Sequence, residues 1–192
     1  EKTMSTSKAL DGLRPYRKKG AGANTNGTNI YPIASGYAAN IFTGDLVKTT
    51  VGVTHVYGAV AEKPIGVFAG VKYEKDGSPV WSKYWPTGTS ASNIEAYVID
   101  DANQTYAINS DAPVTAGDLN TWAMAVTLGA GSTVTGRSGF GLEPSTRVAT
   151  GALVPIAIIK EPGNTIGDAF TKVEVRLNNH QTAYVTVGLS AT

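Results

Sequence analysis

The stretch GSTVTGRS, residues 131–138, comes nearest to a chemical motif. It follows the phosphate-loop spacing GxxxxGK[ST] except at Arg137, which stands where the lysine belongs. That lysine reaches the β- and γ-phosphates as a compact point charge, and the planar arginine fork has a different reach. A phosphate loop must also open a helix. Phe140-Gly141-Leu142-Glu143-Pro144 is a poor helix start, so the stretch reads as a flexible or interface loop. The two histidines, His55 and His180, have no second histidine nearby with which to hold a metal. Asp100 and Asp101 are adjacent, so on a strand they point to opposite faces and cannot form an acid–base pair. Turn chemistry accounts for them. The chain has no DxDxDG calcium loop and no nucleophile elbow. It has no cysteine, which removes disulfides, thiolate metal sites and cysteine nucleophiles together. The expectation is a protein that is not an enzyme, with no cofactor and no metal.

Two other groups of residues could bind something. Trp81, Tyr84 and Trp85 lie within five positions. They could form a sugar-stacking platform, a protein hot spot, or simply core and oligomer interface. The second group is cationic. Residues 1–29 hold six basic side chains against Glu1 and Asp11, whereas the remaining 163 residues carry a slight acidic excess. With an overall charge of +1 there is no global electrostatic case for nucleic acid. No run approaches the ~18 apolar residues of a membrane span.

The elements that would position these residues are short strands. Ile94, Ala96 and Val98 alternate with Glu95, Tyr97 and Ile99, the period of a half-buried strand. Residues 100–103 supply turn chemistry and 104–109 resume the alternation, so 94–109 is expected to be a β-hairpin. Residues 65–73 are apolar through their middle, which suggests burial on both faces. Asp76-Gly77-Ser78-Pro79 is a strong turn. Residues 153–160 read as a buried strand, with Pro155 near an edge or at a bulge. In 172–178, Val173, Val175 and Leu177 face inward and Glu174 and Arg176 outward. Residues 183–187 would form a last short strand. The phrase Gly-Asp recurs at 44–45, 117–118 and 167–168, and is expected to lead into strands. No segment keeps a helical period beyond two turns. The expected fold is all-β, a small barrel or sandwich, with residues 30–192 as the body and 1–29 as an extended arm. The arm is either a solvated tail or a segment that orders on a partner.

Several phrases then stand in a familiar order: SGYAANIFTGDLV (35–47), IGVFAGVKY (65–73), YVIDDANQTYAI (97–108), TGRSGFGLE (135–143) and VEVRLNNHQ (173–181). Together they resemble the capsid decoration, or cement, proteins of tailed bacteriophages with podovirus-like heads. The resemblance implies a protein on the outer surface of the virion, bound to the major capsid protein and stapling its subunits. It also implies a homo-oligomer, dimer or trimer. Capsid contact is expected from Arg14, Tyr16, Arg17, Lys18 and Lys19. The alternative is a carbohydrate-binding or adhesin-like β module carried on a virion, with the Trp81/Tyr84/Trp85 cluster as its feature. A major capsid or tail-tube component would usually carry a long helix.

Overall fold

Leu46 and Val47, Val67 and Phe68, and Ile99 and Val98 are adjacent pairs of large apolar residues. Successive side chains on a strand face opposite ways, so a strand carrying such pairs must be covered on both sides. The computed structural model, which describes residues 9–20, 23, 27–55 and 62–182, is built around that requirement.

Strands are numbered in chain order, and those within each sheet pair antiparallel. The first sheet runs β1 (Arg14–Lys18), β10 (Gln104–Asn109), β14 (Lys172–Leu177), β13 (Leu153–Ile158), β11 (Ala123–Thr127) and β12 (Gly141–Val148). The second runs β2 (Asn29–Tyr31), β9 (Ser92–Ile99), β6 (Gly66–Lys75), β4 (Leu46–Thr49) and β5 (Val53–His55). A further strand, β7 (Ser78–Ser82), pairs with the far end of β6. β3 (Ile41–Phe42) and β8 (Tyr84–Trp85) form a small third sheet. The fold is all-β and sandwich-like, as expected; among the described residues no closed barrel forms.

Leu46, Val67 and Ile99 pack with Tyr106, Ile108, Val173 and Val175 of the first sheet. On the opposite face of the second sheet, Val47, Phe68 and Val98 pack with Ile41 and Trp85 of the third. Residues 65–73 are thus buried on both faces, as their composition implies. A strict period of two would turn Val71 and Tyr73 away from Phe68, yet all three share one core. A register shift between Phe68 and Gly70 inserts the extra residue, and Gly70 takes a φ of 149°. Asp76 and Gly77, both at positive φ, close the β6–β7 hairpin as the expected tight turn.

Other expectations need correction. β9 and β10 are both strands, but they are not a hairpin. β9 pairs with β6 and β2, whereas β10 pairs with β1 and β14 in the other sheet. Residues 100–103 therefore cross between sheets. Ala96 and Val98 belong to one core and Tyr106 and Ile108 to the other, so pairing the two strands would strand one apolar set. The adjacent aspartates divide the work at this crossover. Asp100 accepts hydrogen bonds from Asn29 and from the Tyr31 hydroxyl (2.6 Å), holding β2, while Asp101 pairs with Lys18 of β1. Burial and the Asp100 charge push the Tyr31 hydroxyl up to about 12.

The expected loose arm does not hold for residues 12–18. Leu13 is buried in the first core, Gly12 N–H donates to Phe140 C=O, and β1 extends the first sheet beside β10. The boundary set at 29/30 falls inside β2. Residues 1–8 and the expected strand at 183–187 lie outside the described residues. Glu174, expected to face water, is buried beneath Arg17. β12, with its Gly, Pro and Ser, was not expected to be a strand. It lies at the sheet edge, where Pro144 is tolerated.

The Gly-Asp phrase is a recurrent turn, and only its first copy leads straight into a strand. In all three copies the aspartate closes on the residue three before it. Its carboxylate accepts from the N–H of Phe42, Thr115 or Thr165 at 2.7–2.8 Å, and its own N–H donates to that residue's C=O. Asp118 is the last residue of a short 3-10 turn (Ala116–Asp118), and Asp168 lies in a plain loop.

Gly66→Ala should destabilise the fold by about 2 kcal/mol or more, because a Cβ there would meet the Ile99 carbonyl oxygen at 2.3 Å. Gly117→Ala, with only the Thr115 hydroxyl 3.9 Å away, should change stability by less than about 0.5 kcal/mol. Urea unfolding of the two variants checks the contrast. A second measurement concerns Asp118. The Arg147 hydrogen bonds hold its carboxyl at about 2 against burial, which pushes the other way. This stabilisation, about 2 kcal/mol, should be complete above pH 5 and fade as the pH falls through 2. Asp118→Asn should therefore cost most near neutrality, and its unfolding midpoint should converge on that of the parent protein toward pH 2.

Candidate functional site

The five expected capsid-contact residues do lie together, on or just after β1, but their charges are largely engaged within the chain. Arg17 reaches across β10 and holds Glu174 with two parallel hydrogen bonds of 2.7 and 2.6 Å. Glu174 is 3% exposed. Burial pushes its carboxyl up, and the hydrogen bonds from Arg17 and Thr105 outweigh that, so it titrates below its usual range. Lys18 pairs with Asp101 at 2.6 Å and, together with the Asn103 N–H, lowers that carboxyl. Arg14 pairs with Asp11. Tyr16 is 45% exposed, with the Arg17 guanidinium 5.8 Å from its ring centre. Lys19 is exposed, and its N–H donates to Asn103 C=O. What this edge offers a partner is a ridge formed by Tyr16, the outer parts of Arg14 and Arg17, and Lys19.

The aromatic triplet is split between two environments. Trp85 is fully buried, edge-on to Tyr73 at 5.3 Å, and Tyr84 stacks on Phe42 at 5.4 Å. Both are packing residues. Trp81 points the other way and is 68% exposed. Its ring stacks on Tyr97 at 5.8 Å and 13°. Strand alternation alone gives Tyr97 no special role, because the sequence distance between β7 and β9 hides the pairing. Trp81 on β7 and Tyr97 on β9 meet over Gly70 of the intervening β6, where no side chain separates them. Lys72 lies 5.5 Å from the indole centre and pairs with Glu95 at 3.4 Å, and the Tyr97 hydroxyl donates to Glu95.

The remaining candidates have structural roles. The 131–138 loop opens no helix; it folds back on itself through a Ser132–Arg137 bridge and joins Thr43 through Arg137. It is not loose: Gly131 sits on the Phe42 ring, and Gly129 packs against the Gly139 carbonyl. His180 is buried, which lowers its pKa, and its Nδ1 accepts from Thr182 N–H. The backbone of His55 lies in β5. Among the described residues, no group of three or more His, Asp or Glu is placed to hold a metal ion, and no helix is long and apolar enough to cross a membrane. No family model, curated protein or solved structure matches the chain.

Arg17→Ala removes the main charge partner of the Glu174 carboxylate, and a measurable loss of stability is expected in chemical denaturation. The double variant Arg17→Met with Glu174→Leu should recover much of it. A single Arg17→Met variant as stable as the parent would mean that the arginine stem, and not the charge pair, holds β1 in place.

Proposed function

We propose that this chain is a capsid decoration protein, bound to the outer face of a bacteriophage head and stabilising contacts between major capsid subunits. The observation that carries this reading is the order and spacing of the five phrases between residues 35 and 181. Those phrases fall on the joints of the fold. Thr43 and Gly44 bond to Gly136, Phe68 and Leu13, Thr43 C=O accepts from Ser138 N–H, and β10 pairs with β14. The likeness therefore concerns how the scaffold is tied together.

A stiff three-layer β body suits this task. A cement protein must transmit load between neighbours without yielding, and both cores here lock the central sheet. Its binding free energy favours the assembled shell by mass action, multiplied over many equivalent copies. The contact is assigned to the β1 edge, where Arg14, Tyr16, Arg17 and Lys19 are exposed. Self-association as a dimer or trimer belongs to the same reading.

The test is cosedimentation with heads assembled without the protein, followed by imaging of the lattice. Saturable binding with extra density on the outer surface is expected. Tyr16→Ala combined with Lys19→Glu should weaken it about tenfold or more while leaving the fold unchanged. Heads that bind nothing at saturating protein would remove the proposal. Deleting residues 1–29 is not a usable probe, because it would remove β1 and Leu13.

A further inference from the structure

The second sheet is longer than the first sheet that covers it. Leu46, Val67 and Ile99 on its inner face are buried, but further along the same face β6, β7 and β9 run out into solvent. Lys72, Trp81 and Glu95 stand there in one cross-strand row, with Tyr97 beside them and Glu74 and Asn93 beyond. We propose that this open face is a carbohydrate-binding site, with Trp81 as the platform for a sugar ring.

Three observations carry the assignment. First, the indole is both exposed and fixed. Tyr97 supports it from beneath, and Tyr97 is itself held by Glu95. A flat apolar surface whose position is already set costs little further ordering when a ligand arrives. Second, the surroundings are mixed. Ala69, Gly70 and Val71 line the floor beside Trp81, and the polar groups Lys72, Ser82 and Lys83 stand at the rim, with Glu95 next along the row. A pyranose needs this combination, because it presents an apolar C–H face to an aromatic ring and a rim of hydroxyls to donors and acceptors. Third, there is room. A cleft of about 390 Å³ lies between Lys72, Glu74, Asn93 and Glu95, and another of about 340 Å³ between Gly70, Trp81 and Lys83. Both fall in the range of small-ligand sites, about 300–1,000 Å³.

The charges narrow the ligand further. Lys72 and Lys83 balance Glu74 and Glu95, so the face favours neither anion nor cation and suits a neutral saccharide. The polar groups are also oriented in advance. Asn93 sits in left-handed backbone (φ 49°) and donates to Glu74 at 2.7 Å, and Lys72 pairs with Glu95. Each keeps hydrogen-bonding capacity to spare. The site does not depend on the decoration reading, since it lies on the second sheet and β1 on the first.

The full chain should be titrated with soluble mono- to tetrasaccharides of glucose, galactose, mannose and N-acetylglucosamine, followed by calorimetry and by saturation-transfer NMR. At least one is expected to bind with a dissociation constant of about 1 mM or tighter. Trp81→Ala should weaken that binding at least about tenfold, whereas Trp122→Ala, at the other exposed tryptophan, should not. Asn93→Ala, on an exposed strand end, gives an independent reading that leaves the aromatic stack intact, and should weaken binding severalfold. The inference is overturned if no saccharide binds at about 10 mM, where a millimolar site would be mostly filled. It is equally overturned if binding is indifferent to both Trp81 and Asn93, or if Trp81→Ala only dissolves a dimer.

Discussion

The second sheet has a core on each side, and most of the structure follows from that constraint. Strands covered on both faces cannot use polar alternation, so their sequence is a run of apolar residues with phase errors that must be absorbed locally. The bulge at Gly70 absorbs the one in β6. Gly66 answers the same crowding, because at the crossing with β9 the backbones approach too closely for any side chain. The third sheet exists for the same reason. Its two short strands would have no stability alone, but they put Ile41 and Trp85 over Phe68 and Val98. Where cover ends, the same sheet face changes from apolar to Trp81, Lys72 and Glu95 along a continuous strand. The candidate binding face is thus the uncovered extension of a sheet that is otherwise dry.

Sheet edges bear on how such a molecule could associate. β1 carries Pro15, a register shift and two arginines; β7 carries Pro79; β12 carries Pro144 and Arg147; and β2 runs straight into Pro32. Each device makes strand addition from another chain unfavourable. At these four edges association through side chains on faces and ridges is favoured over backbone pairing, and both proposed contacts, the Tyr16 ridge and the Trp81 face, are of that kind.

How much of this was legible in the sequence depended on the range of the interaction concerned. The body's β character, the double burial of 65–73, the inward set Val173, Val175 and Leu177, and the bulge at Pro155 all follow from spacing within a few residues. The repeated Gly-Asp phrase was visible too, although its content is a side-chain-to-backbone closure over three residues and not a strand entry. What was missed is non-local. Alternation identified β9 and β10 but could not tell a hairpin from a crossover, because both need a polar connection, and only the cores to which Val98 and Tyr106 belong decide it. β1 looked like a tail since its own residues bury little, and its order comes from Leu13 and from partners about 90 and 160 positions away. The Trp81–Tyr97 stack depends on the absent side chain at Gly70, and no pattern in β7 alone reveals it.

The charge asymmetry shows why composition can mislead about partners. A +4 leader before a slightly acidic body suggests attraction to an outside acidic surface. In the folded chain that attraction is met inside. Glu174 sits in the middle of β14 with its carboxylate on the outer side of the first sheet, and Asp101 caps the crossover. Both are sites where an acidic group needs a cation, and Arg17 and Lys18 supply it. Removing the partner of the buried Glu174 carboxylate costs more than a surface ion pair yields, so Arg17 is tied to the fold before any partner can compete for it, whereas Lys18 and Asp101, 30% and 33% exposed, form a weaker pair. Among the described residues of the leader, Lys19 and the exposed parts of Arg14 and Arg17 are what an external acidic surface could draw on. On that ridge the shape and ring of Tyr16 add specificity that screened surface charge does not.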